Sequence, residues 1–335
     1  MPAQTLSVAI LSGKGGVGKS NVTLNLALSL QQSGASVLVV DGDLGLANVD
    51  VLMGFTPDGT IWDVLQGRMT IDRVLHTDAS GLHVLPAASG TGQQAQLDSK
   101  SCQLLLKTLR PLAERHDFVL LDLGAGLSET VRLLARSAAV QLVVTTPEPT
   151  AITDAYALLK VLGKAHHLDH FQVVINNVQD PEEVSLTRTR LLGAARKFLQ
   201  VEARLIGTIR HDPLLQEAVC KRTPLLRLYP DCPAATDIAA IAKKLKSLRR
   251  KMIAEGTISP CLSLRTRKPA GAAAPATGAS TAKTTATSAA KATAQKPPAQ
   301  KSSADSGRKS ATTRTSGTKS GTTPRGTASQ KKQGF

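Results

Sequence analysis

One run of eight residues, Gly13-Lys14-Gly15-Gly16-Val17-Gly18-Lys19-Ser20, constrains this chain more than any other part of it. It has the spacing G-x-x-x-x-G-K-[ST] of a phosphate-binding loop. Glycines let the backbone curl until successive N–H groups point inward at an anion. In such a loop Lys19 reaches the terminal phosphates and the Ser20 hydroxyl binds Mg2+. The helix that follows turns its positive end toward the charge. Gly13, Gly15, Gly16, Val17, Gly18, Lys19, Ser20 and Asn21 are therefore the candidate nucleotide contacts. Lys14 lies outside the minimal set and needs its own explanation.

The flanking sequence supplies the strand–loop–helix context that the motif requires. Residues 5–12 read as a buried parallel strand. Residues 20–33 place Val22, Leu24, Leu26, Leu28 and Leu30 among small and polar residues and read as a helix stopped by Gly34. Residues 36–40 form a second apolar strand, ending in Asp41-Gly42-Asp43. The unit is βαβ with acids at a strand tip.

The same alternation continues. Strands are expected at 82–86, 117–121, 141–145, 171–175 and 204–208. Helices are expected at 60–65, 101–115, 127–138, 151–163, 183–199, 213–221 and 234–252. In the helix over 101–115, Leu104, Leu105, Leu109 and Leu112 are expected to face inward. Short apolar strands alternating with helices predict an α/β fold: a doubly wound, mostly parallel sheet with helices on both faces. Ligands bind such sheets at the carboxyl ends of the strands, where the polar clusters of this chain fall.

Composition divides the 335 residues at about 255. From Ala270 to Gly334 there is no Val, Leu, Ile, Met or aromatic residue. Such a stretch cannot bury enough apolar surface to offset the entropy of ordering it. The expected organisation is a globular domain over 1–255 and a disordered tail over 256–335. The tail carries 14 lysines and arginines against Asp305 alone, so a net +13 of the chain's +16 belongs to it. A sparse basic tail without interleaved aromatics offers charge to an acidic partner but no stacking platform for single-stranded nucleic acid. Cys102, Cys220, Cys232 and Cys261 have no ligand-like spacing and read as reduced thiols. No signal peptide or membrane span is expected.

Three strand-tip acids complete the expected site. Asp122 follows the apolar run Phe118–Leu121 and precedes Leu123-Gly124-Ala125-Gly126, the form of a metal-supporting acid before a mobile glycine-rich switch. Asp122 is assigned to Mg2+ with Ser20, and Asp43 to orienting the attacking water. Asp41 supports Mg2+ or Lys19. The competing reading is that the short acids of this region only cap turns.

Lys14-Gly15-Gly16-Val17-Gly18-Lys19-Ser20, with its additional lysine, resembles the deviant phosphate loop of the MinD/ParA class of ATPases. Three further stretches, Asp41–Leu52, Leu85–Gly90 and Pro147–Ala157, resemble the flagellar FlhG-type branch of that class, which regulates flagellar number and placement. The likeness spans about residues 6–245. It implies a MinD-like fold and a weak Mg-dependent ATPase that acts as a switch. It also implies an ATP-dependent homodimer in which Lys14 reaches the partner's phosphates, a charge supplied in trans. Asp43 and Asp122 become the acids of the first and second switch segments. Asn176 and Asp212, within Ile209-Arg210-His211-Asp212, become adenine contacts. The implied partners are the flagellar GTPase FlhF, a C-ring component or a flagellar transcription activator.

The chain departs from the resemblance in places. Leu123 stands where relatives usually carry a hydroxyl residue beside the second switch, and Gly124 where they carry alanine or proline. Only five residues precede the first strand, so activation of FlhF through an N-terminal Asp-Gln-Ala helix is not expected.

The helix over 237–253 has Ile238, Ile241, Leu245, Leu248 and Met252 on one face and a basic opposite face. It reads either as the last core helix, which is preferred, or as a peripheral contact at the inner face of the cytoplasmic membrane. The alternative function is a ParA-like DNA- or cargo-partitioning ATPase whose basic tail binds nucleic acid. A nitrogenase-iron-type reductase needs paired cluster cysteines, and only Cys102 precedes residue 220.

Overall fold

The computed structural model describes residues 4–45, 47–87, 97–166 and 168–264. The expected tail from residue 265 onward, and Ser89-Gly90 of the resemblance, lie outside the described residues.

Among the described residues eight strands form one sheet: β1 Leu6–Leu11, β2 Val37–Gly42, β3 His76–Thr77, β4 His83–Leu85, β5 Phe118–Leu123, β6 Val140–Thr145, β7 His170–Val178 and β8 Glu202–Arg210. Their order is β3-β4-β2-β5-β1-β6-β7-β8. Every pair is parallel except β3–β4 at one edge. The four central strands β2, β5, β1 and β6 are buried along their whole length, which is why each reads as an apolar run and does not alternate. β1 sits between β5 and β6, and the chain leaves it first toward β2 on one side and later toward β6 on the other. That reversal makes the topological switch point where ligands bind such sheets.

The helices are α1 Lys19–Gln32, α2 Val49–Met53, α3 Ile61–Leu65, α4 Ile71–Val74, α5 Ser99–Ala113, α6 Glu129–Ser137, α7 Pro149–His166, α8 Pro181–Thr187, α9 Pro213–Cys220, α10 Leu225–Leu228 and α11 Pro233–Ala254. Two π-helical stretches, Arg188–Gly193 and Ala195–Leu199, follow α8. One core cluster joins α5, α6, α7 and the π-helical stretches to one face of the sheet. The other joins α1, α9, α10 and α11 to the opposite face. The predicted two-faced α/β architecture is what forms.

The structure corrects several local expectations. Leu104 is 49% exposed, and its place in the core is taken by Leu106. Apolar spacing in α5 allowed either, because the run Leu104-Leu105-Leu106 covers more than one face. The packed chain also continues past residue 255. Cys261 and Leu262 are fully buried, and Arg110 donates to both of their carbonyls at 3.2 Å. Burial pushes the Cys261 thiol up to about 12 and the Cys102 thiol up to about 11, so both stay protonated.

The face of α11 offered above to lipid is a core face. Ile238, Ile241 and Leu245 are buried against α1 and β8, with Leu248 and Met252 packed beside them. Several of its basic residues are spent inside the protein. Lys244 donates to the Ile206 carbonyl at 2.6 Å, and Lys246 to the Ser33 carbonyl at 2.7 Å. Arg249 donates to the Gln4 carbonyl at 2.9 Å and to Asp117 at 2.6 Å. Among the described residues no helix is long and apolar enough to cross a membrane.

Leu245 is therefore a core residue whose truncation leaves a cavity between α11 and the sheet. Leu245→Ala is expected to cost about 2–5 kcal/mol of unfolding free energy in urea titration. An unchanged midpoint would mean that this face is not held in the core.

Candidate functional site

The loop between β1 and α1 forms the floor of a cavity of about 920 Å3 at the carboxyl ends of the strands. Gly16 and Gly18 adopt φ +81° and +87°, left-handed values that a side chain would strain. A Cβ at Gly18 would overlap the Asn176 amide, and one at Gly13 would overlap the Asp154 carbonyl of α7. Where Gly15 and Gly16 face the cavity, the space is open. The glycines thus serve two purposes: curvature toward the cavity and close packing behind it. α1 has no acid in its first turn, so nothing on the helix offsets its positive end.

Lys19 and Asp122 form a buried ion pair at 2.8 Å, their side chains 9% and 1% exposed. Thr23, one turn along α1, donates to the same Asp122 oxygen at 2.8 Å. Lys19 Nζ also lies 3.4 Å from Ser20 Oγ. The phosphate lysine, the hydroxyl and the acid at the tip of β5 are thereby gathered at one point. Thr23 was not read from the sequence, although its place four residues after Lys19 on one helical face was a usable signal.

Asp41 is bonded to backbone N–H groups of the segment that follows it. It is 1% exposed, and its oxygens accept the N–H groups of Asp43 at 3.0 Å and of Asn48 and Val49 at 3.3 Å. Burial, reinforced by Asp122 beside it, raises its carboxyl to about 8. The group holds Asp43, Asn48 and Val49 together, and it lies within electrostatic reach of Lys19. Asp43 lines the cavity, and its carboxylate lies against Gly124 of the segment after β5. The backbone of Gly126 donates to the Ser12 carbonyl at 3.0 Å. The segments after β2 and β5 therefore meet each other, and the second meets the loop.

The two expected adenine contacts, Asn176 and Asp212, both make hydrogen bonds within the protein. Asn176, at the end of β7, donates its amide to the Val17 carbonyl at 2.8 Å and so buttresses the loop from behind. Asp212 caps two helices: one oxygen accepts Leu214 N–H and the other Ala234 N–H, both at 3.1 Å. Burial works against its charge, but those N–H groups hold its carboxyl below the usual range. Neither residue lines the cavity. Asn21 does.

Lys14 stands apart from this cluster. Its ammonium pairs with Glu148 at 2.8 Å and accompanies the Thr150 hydroxyl at 3.2 Å, at the start of α7. It is held within its own chain, away from the Lys19–Asp122 centre.

The residues present fit a nucleoside triphosphate with a divalent cation. The backbone cradle is open at Gly15 and Gly16, and Ser12 Oγ is buried at the cavity wall without a hydrogen-bond partner. Ser20, which lines the cavity, is a hard oxygen donor of the kind Mg2+ takes, and Asp122, paired with Lys19 beside it, is the acid that could join it. Among the described residues no cluster of three or more His, Cys, Asp or Glu side chains suits a metal.

Comparison with known proteins agrees with this site. A family profile described as ParA, NUBPL iron-transfer P-loop NTPase, matches residues 4–246. The antiactivator FleN of Pseudomonas aeruginosa is 38% identical over 240 residues, covering 72% of this chain and 86% of that protein. The flagellum site-determining protein YlxH of Helicobacter pylori is 33% identical over 244 residues, covering 72% and 82%. Among solved structures, the septum site-determining protein MinD of Pyrococcus horikoshii, complexed with Mg-ADP, superposes with a TM-score of 0.62 at 26% identity. It covers 73% of this chain and 97% of its own.

Asn176→Ala removes the donor to the Val17 carbonyl and opens space behind Gly18. Nucleotide affinity measured by calorimetry is expected to fall about tenfold, the scale of one lost buried hydrogen bond. Unchanged affinity would contradict the buttress.

Proposed function

The chain belongs to the ParA/MinD family of P-loop NTPases, and from that premise we propose that it is an ATP-dependent dimerisation switch regulating flagellar number or placement. The observation that carries the proposal is the position of Lys14. The phosphate cradle is complete without it, and in the single chain it rests on Glu148, not on the Lys19–Asp122 centre. A second cation on the loop that does not serve its own site is suited to serve the site of another copy.

Each side chain then has a task. The loop N–H groups and the start of α1 hold the phosphates. Lys19 neutralises charge there. Bound Mg2+ would add a fixed positive charge against the phosphate oxygens, held by Ser20 and Asp122. Asp43, against Gly124, orients the attacking water. Lys14 from the partner copy stabilises the charge that develops on the transferred group, as an arginine finger does.

Hydrolysis is slow because the site is incomplete in one chain, and the dimer is the signalling state. Leaving Glu148 costs Lys14 little, since an exposed pair of this kind is worth about 0–1 kcal/mol. The protein works in the cytoplasm, and its partners are flagellar: a GTPase of the FlhF type, a C-ring component or a transcription activator. The likeness to FleN and YlxH supports that assignment.

Two experiments test the reading at different levels. By light scattering, Lys14→Ala is expected to bind ATP but not to form the ATP-dependent dimer, whereas Lys19→Ala loses binding itself. Equal dimerisation of Lys14→Ala and the unaltered protein would defeat the trans role. Deletion of the chromosomal gene is expected to change the number or position of flagella per cell. Normal flagellation would remove the flagellar assignment and leave the ATPase reading standing.

A further inference from the structure

A second cavity, of about 930 Å3, lies away from the nucleotide loop, between the π-helical stretches and the start of β8. Three guanidinium groups line it, those of Arg188, Arg196 and Arg204. The one carboxylate at its rim, Glu202, pairs with Arg204 at 2.6 Å and with His170 at 3.2 Å. The wall is helical in an uncommon way. Bonding of the i→i+5 type runs through Arg188–Gly193 and Ala195–Leu199, which lets residues four to five apart share a face. Arg188, Leu192 and Arg196 reach the cavity by that spacing. Such π geometry is rare and frequently marks functional sites.

The opposite wall is the edge of the sheet. Among the described residues β8 is the last strand in the order and pairs with β7 alone. Glu202 N–H donates to the Asp169 carbonyl at 2.7 Å, so Glu202 and Arg204 turn their backbone groups toward β7. Alternation along the strand turns those of Ala203 and Leu205 outward. Farther along, Lys244 covers the edge at the Ile206 carbonyl. The stretch ahead of that lysine opens into the cavity. An uncovered edge is a template for another strand unless something blocks it.

We infer that this groove, formed by the open edge of β8 and the arginine-bearing π-helical wall, docks an extended acidic segment of a partner protein, which adds to the sheet as a ninth strand. The backbone groups of Ala203 and Leu205 supply the ladder, as in strand-addition recognition. Acidic side chains on one face of the added strand meet Arg188 and Arg196. Leu192, between the two arginines on the same wall, gives that face an apolar contact as well. The chain's own tail is unsuited as the occupant, because it is basic. A phosphate backbone would satisfy the arginines but would leave the strand edge unmatched.

The test uses the full-length protein and a fluorescein-labelled peptide of alternating Glu and Val, of about ordinary strand length. Binding is read by anisotropy at low salt. Three other probes are run beside it: a Lys-Val peptide, the Glu-Val peptide methylated on alternate backbone nitrogens, and a labelled single-stranded oligonucleotide of equal charge. The protein variants are the double change Arg188→Glu with Arg196→Glu and, separately, Ala203→Pro, which removes an outward N–H without touching the β7 ladder.

The Glu-Val peptide is expected to bind, and the Lys-Val peptide is not. Affinity should fall about tenfold on peptide methylation and in each variant, while nucleotide binding is retained. Hydrogen exchange at the Ala203 and Leu205 amides should slow when the peptide is present. Absence of Glu-Val binding, equal affinity for the methylated peptide, or tighter binding of the oligonucleotide would overturn the inference. The methylated probe keeps the test decisive even if a protein variant misfolds.

Discussion

A single buried ion pair, Lys19 to Asp122, joins the parts on which this molecule depends. It ties the first turn of α1 to the tip of β5, and Thr23 fixes the same carboxylate oxygen from one turn along the helix. Two charges taken out of water are costly unless each is compensated, and removing one partner of such a pair costs about 3–5 kcal/mol. The arrangement therefore stores a lysine and an acid in a dry site beside the phosphate cradle, each held by the other. A phosphate and a divalent cation answer the same two charges. In the proposed function, ligand binding would exchange one set of compensating charges for another without desolvating them afresh.

The loop around the pair is held from behind as tightly as from within. Gly13 lets α7 approach, and Gly18 lets the Asn176 amide approach and bond the Val17 carbonyl. Asp41 gathers three N–H groups of the 43–49 segment, and Gly126 bonds Ser12. Strands β1, β2, β5 and β7 thus each contribute one support to the cradle. Lys14 is the exception, resting on Glu148 at the surface. Rigid support for the cis residues and a loosely held lysine suit a site finished by a second chain.

The amino-acid sequence made the fold and the cradle legible because both rest on local signals. Fully buried strands write themselves as apolar runs, and a phosphate loop writes itself as fixed glycines followed by Lys19-Ser20. Roles set by packing between distant segments were harder to read. The bonds of Asn176 to the loop and of Asp212 to α9 and α11 are of this kind. Both are short polar side chains at strand ends, and only the register of β7 and the approach of α11 decide which backbone group they meet. Asp41 carried the same ambiguity between metal and turn, and in the structure its oxygens accept the N–H groups of Asp43, Asn48 and Val49. Leu104 failed as a core residue because three consecutive leucines overdetermine an amphipathic face. The π-helical stretches left no sequence signature, since i→i+5 bonding follows from tertiary packing and not from propensity.

Completion of the active site by a second chain is the centre of the account, and a mixing experiment addresses it directly. Lys14→Ala protein and Asp43→Asn protein are each assayed for ATP hydrolysis alone and then in equal mixture. If Lys14 acts in trans, a mixed dimer contains one site with its own Asp43 and the partner copy's Lys14, so the mixture regains activity that neither variant has alone. If the mixture remains as inactive as its components, Lys14 serves its own chain and the account is contradicted.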